Sequence, residues 1–458
     1  MFQIDLDLVK KYNKPGPRYT SYPTAPHFNE SFTNQDYLDE IIKTNYGENL
    51  PNLSLYYHLP YCDTLCYFCG CNMLITRNRE RVKEYLSYIK KEIDLLRTYL
   101  LPDRKVSQLH WGGGTPTHLR PDEINELASY IKSSFNFINN SENGCEIDPR
   151  ELTKEHLETL RNNGFNRISM GVQDFDEKVQ KAVNRIQPED ITRQTVEWVR
   201  ELGFSSINLD LMYGLPFQTI NSFSQTVENI IDISPDRIAV FNYAHVPWMK
   251  KHMGLIHTED LPKPDAKLNI LKMTIEKLTS AGYVFIGMDH FAKPDDELAI
   301  ALNEKKLYRN FQGYSTQAGT DLYSMGITAI SQLNNVYTQN HKNEKNYYES
   351  LDKDTLPVAK GYKLSEDDLL RRDVIMKLMC DFELDMNEVS VKYNISFKRY
   401  FEWGLNNLKT FQNDGLVKIE NEKITVTDMG KLLIRNIAIN FDKYLEKKED
   451  TAKYSKTI

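Results

Sequence analysis

The chain has 458 residues, 40% of them hydrophobic and 26% charged, with a formal net charge of −7. That length allows two or three domains, and the acidic balance speaks against general nucleic-acid or anionic-membrane binding. No apolar run reaches the ~18 residues of a membrane span and the first residues lack a secretory pattern, so a cytoplasmic location is expected, where clustered thiols hold metal or do redox work.

Residues 1–50 form an amino-terminal extension whose "YNKPGPRYTSYPTAP" has too much Pro and Gly for a long helix or a central strand. From about residue 53 to 290, strand-like runs alternate with amphipathic helices. "SLYYHL" (54–59), "VSQLHW" (106–111), "CEID" (145–148), "RISMGV" (167–172), "INLDLMYG" (207–214), "RIAVFNYA" (237–244) and "VFIGM" (284–288) read as strands. Between the first two, Val82, Tyr85, Leu86, Ile89, Ile93, Leu96 and Leu100 recur at three- and four-residue steps, which predicts a helix with one apolar face. Gly164, Gly203 and Gly282 each precede an aromatic between a helix and the next strand, where the left-handed position past a helix end favours glycine. Repeated units of this kind predict a parallel sheet, open or closed into a barrel, over residues 51–360. At about residue 361 the alternation stops. A helix capped at Ser365, with Asp368 three residues on, a hairpin-like "GLVKIENEKITVT" and "DMGKLLIRNIAINF" predict a mostly helical, winged-helix-like domain over 361–458.

Four of the six cysteines, Cys62, Cys66, Cys69 and Cys71, fall within "YCDTLCYFCGCN", just after the first strand, where α/β folds place active sites. A disulfide conflicts with the compartment, and a structural zinc would want a second ligand pair that does not stand out. An iron–sulfur cluster fits best, because thiols separated by three and two intervening residues can wrap it from one loop. Cys145 reads as a small buried filler. His58, His110, His245 and His290 read as structural histidines, His290 being the one to watch for a substrate role.

The C-x3-C-x2-C spacing of Cys62, Cys66 and Cys69 resembles that of the radical S-adenosylmethionine (SAM) superfamily. With "QLHWGGGTPT", "EIDPRE", "NRISMGVQDF", "LDLMYGLP", "FNYAHVP", "GMDHFAKPDDEL" and the amino-terminal "GPRYTSYPT", the whole chain resembles the oxygen-independent coproporphyrinogen III oxidases of anaerobic haem biosynthesis. The related haem chaperone, which would bind and transfer haem on the same scaffold, is the alternative; "CGCN" and "GPRYTSYPT" speak against it. The resemblance implies a partly open (β/α) barrel of the radical SAM type. It also implies a [4Fe–4S] cluster on Cys62, Cys66 and Cys69, with Cys71 kept off the metal, and two SAM molecules.

Carried over residue by residue, Tyr56 and Ile330 match contacts to the first SAM, and Gln173, Arg185, Asp210 and Ala244 match contacts to the second. Arg185 is able to pair its methionyl carboxylate in a bidentate fork, and Phe68 and Glu146 match SAM contacts. Gly113, Gly114 and Thr115 match positions where backbone approaches the methionyl group. The implied reaction is oxidative decarboxylation of two propionates of coproporphyrinogen III to vinyl groups, giving protoporphyrinogen IX, by a SAM-derived 5′-deoxyadenosyl radical. It needs an external electron donor and acceptor and no side-chain acid, base or nucleophile. For the substrate, Arg18, Tyr19, Tyr22, Phe311 and Gln312 are candidates, since a tetra-anion calls for local positive charge. A monomer is expected.

Overall fold

The computed structural model describes residues 4–46 and 50–446; residues 1–3, 47–49 and 447–458, which belong to the expected first and last segments, lie outside them. The expected strands form as β1 (Leu53–Leu59), β2 (Lys105–Gly113), β3 (Asn136–Ile147), β4 (Arg167–Gln173), β5 (Ser206–Tyr213) and β6 (Arg237–Asn242). They are followed by β7 (Val284–Gly287) and β8 (His290–Ala292), then β9 (Asp321–Met325), β10 (Ile330–Gln332), β11 (Val336–Asn340) and β12 (Val358–Lys363). All twelve join one sheet in the order β12-β11-β10-β9-β1-β2-β3-β4-β5-β6-β8-β7. From β9 to β6 every neighbouring pair is parallel, and the two ends of the sheet do not pair with each other. This is a mixed α/β fold, a parallel barrel left partly open.

One expected strand departs from the parallel pattern. Val284–Gly287 does not lie beside β6; β8 is inserted between them and runs antiparallel to both. The cause is local. Gly287 (φ +145°) and Met288 (φ +51°) turn the chain back within two residues, and so short a connection can only pair strands antiparallel. β3 also begins earlier than its sequence suggests, because "NFINNSENG" is rich in residues that disfavour strands.

Side-chain alternation divides the barrel strands into two faces. Leu55, Tyr57, Leu109, Trp111, Ile168, Met170, Leu209 and Leu211 are buried in the main apolar core between strands and helices. The opposite face carries Tyr56, Gln108, His110, Glu146, Ser169, Asn208 and Asp210: Tyr56 meets His110, His110 meets Glu146, Asn208 meets Ser169 and Asp210, and Gln108 donates to Glu142. The core therefore lies outside the barrel, and the inside is left polar. Gly164, Gly203 and Gly282 take φ of +81°, +72° and +94° past their helices, as expected.

The helix Arg79–Arg97 buries Val82, Tyr85, Leu86, Ile89, Ile93 and Leu96, each worth roughly 1.5–3 kcal/mol for a large aliphatic or aromatic side chain. Glu92 is buried on the same face. It accepts hydrogen bonds from the Gly326 amide (2.8 Å), Asn340 Nδ2 (2.7 Å) and the Tyr347 hydroxyl (2.6 Å). Glu92→Leu is expected to cost on the order of 3–5 kcal/mol, because three buried donors lose their acceptor. Burial pushes the Glu92 carboxyl up to about 7 against those donors, above the ~4.3 of an unfolded chain. Its proton-linked contribution to stability is then fully present below about pH 4.3 and lost as pH rises through about 7. Thermal melts across that window should show the slope in the parent and a flatter profile in the variant.

The carboxy-terminal segment opens with the helix Glu366–Asp381. Ser365 caps it, accepting from the Asp368 amide at 3.2 Å while Asp368 accepts from the Ser365 amide at 2.9 Å. Helices and a three-stranded antiparallel sheet, Glu383–Asp385, Lys423–Val426 and Val417–Glu420, complete it. The amino-terminal extension is stitched onto this segment. Asn436 Nδ2 donates to the Tyr12 carbonyl (2.7 Å) and Arg435 Nε to that of Pro17 (2.8 Å), while the Tyr19 hydroxyl donates to Asp442 (2.9 Å).

Candidate active site

The cysteine loop leaves the carboxyl end of β1 and is closed at its base. Tyr61–Cys62 pairs with Leu74–Ile75, the Leu74 amide donating to the Pro60 carbonyl (2.7 Å) and Thr76 to Cys62 (3.2 Å). The Cys69 amide donates to the Cys66 carbonyl at 3.1 Å, closing a turn between these two cysteines. Asn184 Nδ2 holds the Leu65 carbonyl (2.8 Å), and His252 and Lys250 hold the carbonyls of Cys69 and Cys71 (2.8 Å each). Cys66 and Phe68 are buried among Val179, Val183, Leu215, Met253 and Ile256, whereas Cys71 is exposed. Cys145 faces the main core at 1% exposure, away from the loop, as a filler should. Among the described residues no three His, Cys, Asp or Glu side chains gather as they would around a single ion.

At the carboxyl end of β2 the chain passes so close to the loop that side chains are excluded. A Cβ on Gly113 (φ +117°) would lie 2.7 Å from the His58 ring, and one on Gly114 would lie 2.4 Å from the Pro60 carbonyl oxygen. Thr115 Oγ1 then sits 3.3 Å from Cys62 Sγ. Glu146, at the end of β3, is in contact with His110 Nε2 (3.4 Å) and the Gly113 amide (3.3 Å). Burial alone would push its carboxyl up; His110 and the Gly113 amide outweigh that and hold it below the usual carboxylate range. His110 in turn stacks on Tyr56, ring centroids 6.0 Å apart, and the Tyr56 hydroxyl reaches His58 Nδ1 at 3.2 Å.

Arg185 lies on the other side of Cys66, its Nη1 at 3.7 Å from the sulfur. The structure commits most of the Arg185 fork to protein partners. Nη1 also donates to Asp148 (3.1 Å), Nη2 to the Gly171 carbonyl (2.7 Å) and Nε to Gln187 (3.1 Å), which leaves about one of its five N–H donors. Asp210 is pushed up to about 7 by burial, against the hydrogen bond from Asn208 (2.7 Å), with the Glu146 charge adding to the rise. Gln173, at φ +70°, has a buried Oε1 without a protein partner, and so does Asn242 Oδ1 at the end of β6. Ala244 is exposed just beyond. Three thiols in one loop, a side-chain-free ridge beside them, a carboxylate and two unsatisfied buried acceptors fit a cluster together with a polar, nucleoside-bearing ligand.

The remaining candidates are spread more widely. Ile330 and Phe311 pack with Phe28 and Tyr337, and Ile330 connects to the barrel through Ser324, whose Oγ donates to its carbonyl at 2.6 Å. Gln312 reaches into a cavity of about 110 Å³ inside the barrel, lined also by His110, Arg167, Asn208 and Tyr314. Its Nε2 is buried without a partner. Arg18 pairs with Asp289. Tyr19, at 1% exposure and bonded to Asp442, does not offer its hydroxyl to a substrate, and Tyr22 is likewise buried. His290 is half-buried, with a buried Nδ1 that has no partner, and desolvation pushes it down to about 4. Sequence reasoning took His110 for a structural histidine and passed over Asp148 and Arg150; the signals were the "HWGGG" and "EIDPRE" runs that place all three at strand ends.

Residues 56–230 match the Radical SAM superfamily and residues 364–433 the HemN C-terminal domain. The oxygen-independent coproporphyrinogen III oxidase of Salmonella typhimurium is 48% identical over 454 residues, covering 99% of this chain and 98% of that protein. That of Helicobacter pylori is 46% identical over 464 residues and covers both chains completely. The chain belongs to the oxygen-independent coproporphyrinogen III oxidase family. The solved structure described as coproporphyrinogen III oxidase (HemN) from Escherichia coli, a radical SAM enzyme, superposes with a TM-score of 0.92 at 46% identity, over 97% of this chain and 100% of that one. The family match extends across the barrel and the carboxy-terminal segment alike, and it favours the oxidase over the haem chaperone. An iron–sulfur cluster and SAM come with that membership.

Proposed function

We propose that the chain is an oxygen-independent coproporphyrinogen III oxidase, converting two propionates of coproporphyrinogen III to vinyl groups to give protoporphyrinogen IX. The observation that carries this is the closing of the cysteine loop's base onto Gly114 and Thr115, beside a Gly113 amide bonded to Glu146, at the carboxyl ends of parallel strands, within a full-length family match. When bound, the cluster and SAM supply the electron and the radical that removes a propionate hydrogen.

The protein's own residues position and shield. Cys62, Cys66 and Cys69 would hold the cluster and leave one iron open. Two SAM molecules are part of this reading. Tyr56 and Ile330 serve the first SAM and Gln173, Arg185, Asp210 and Ala244 the second, while Phe68, beside Cys66, and Glu146, accepting from ribose hydroxyls, add further SAM contacts. Arg18, whose side chain is 37% exposed beside Asp289, is the substrate-facing cation, with Phe311 and Gln312 beside the cavity. Electrons arrive from and leave to partners of the cytoplasm, and the chain acts as a monomer.

Anaerobic reconstitution with iron and sulfide, followed by SAM, reductant and coproporphyrinogen III, should give the divinyl product. An intact cluster without vinyl product would overturn the reading.

A further inference from the structure

Cys66 is approached by two guanidinium groups. Arg150 Nη2 lies 3.5 Å from its sulfur and Arg185 Nη1 3.7 Å. Both are tied to the carboxylate of Asp148, Arg150 through Nε (3.0 Å) and Nη2 (2.6 Å), Arg185 through Nη1 (3.1 Å). The three side chains are 16%, 9% and 13% exposed for Arg150, Arg185 and Asp148, so the pair of cations and its single anion face the sulfur with little water between them. Taking these charges out of water is costly, and a packed apolar trio would hold the loop at least as well. The arrangement is also rigid. Gln187, which accepts from Arg185 Nε, is itself buried and held by Gln180 and Thr192. Among the described residues neither of the other two thiols has a guanidinium directed at its sulfur: Cys62 meets the Thr115 hydroxyl, and the cations near Cys69, His252 and Lys250, donate to the backbone carbonyls of Cys69 and Cys71.

Hydrogen bonds and positive charge directed at a ligand sulfur stabilise the more negative, reduced form of an iron–sulfur cluster and raise its potential. We propose that Arg150 and Arg185, spaced and partly offset by Asp148, set the reduction potential of the cluster through the sulfur of Cys66. This rests on the cluster reading above. Arg150 and Asp148 are positioning residues, acting through Cys66.

The test is a redox titration followed by electron paramagnetic resonance of the reduced cluster, on reconstituted full-length protein with iron and sulfide content measured first. Arg150→Met is expected to lower the midpoint, so that at a fixed poise the ratio of reduced to oxidised cluster falls about tenfold, the equivalent of one charge-assisted hydrogen bond. Arg150→Lys, which keeps the charge without the fork, should fall less. Asp148→Asn removes the offsetting anion and should move the midpoint the other way. Variants with full iron content and unchanged midpoints, or with Arg150→Met and Asp148→Asn shifted in the same direction, would overturn the proposal. Should Arg150→Met hold no cluster, Arg150→Lys decides, an unchanged midpoint overturning the proposal. A parent protein that takes up no cluster would instead overturn the functional reading beneath it.

Discussion

Replacing Cys66 with alanine is expected to yield a folded chain that retains no iron and has no measurable turnover, a loss of at least ~10³-fold, since the cofactor carries the hard chemistry. Three thiols remain in the loop, and one of them, Cys71, is not among the three that match the cluster ligands of the family. Cys71 is exposed, and its carbonyl is fixed by Lys250. The fold should survive, because the base of the loop is closed by the Leu74–Pro60 and Thr76–Cys62 backbone bonds, which need no metal. Iron and sulfide analysis beside circular dichroism checks both halves. The companion variant Cys71→Ala should keep its iron. A Cys66→Ala protein with full iron content would remove Cys66 from the ligand set.

Glu146→Ala is expected to weaken SAM binding by ~10–100-fold, the range for losing charge-assisted hydrogen bonds, with iron content unchanged. The effect has a pH signature. Because His110 and the Gly113 amide hold the Glu146 carboxyl below its ordinary range, it stays ionised through neutrality. Binding in the parent should be level above about pH 5 and weaken only as pH falls below the ordinary carboxylate range. In His110→Ala that pull is gone, burial raises the carboxyl, and the weakening should begin at higher pH. Calorimetric titration at several pH values reads this directly; equal affinity in parent and Glu146→Ala would exclude the residue from the SAM site.

The architecture was legible in the sequence where local rules act alone. The barrel strands from β1 to β6 announced themselves by composition and by the helices between them, and Gly164, Gly203 and Gly282 by their place before an aromatic. The cysteine loop was legible because its ligands are adjacent in the chain. What stayed hidden depended on three-dimensional closure. Nothing in "VFIGMDHFA" says that the second half of the hairpin, rather than the first, lies against β6. Arg150 and Arg185 are 35 residues apart in numbering (150 against 185) and converge on one sulfur only through Asp148. Tyr19 read as a contact candidate from its motif, yet its partner Asp442 lies at the far end of the chain.

The two faces of the barrel strands have one further consequence. Leu109 and Trp111 answer to the helices, and His110 between them answers to the interior. Stability and chemistry are thus written into alternate positions of the same segments. Substitutions on the inward positions can retune what the cavity accepts without loosening the packing that keeps the cavity in shape. Variation within the family should concentrate accordingly: conservative exchange of size and shape at core positions such as Leu109 and Trp111 of β2, and freer changes of polarity at inward positions that no cofactor touches. A library randomised at the half-buried Asn208 should therefore keep its melting temperature better than one randomised at the fully buried Leu209.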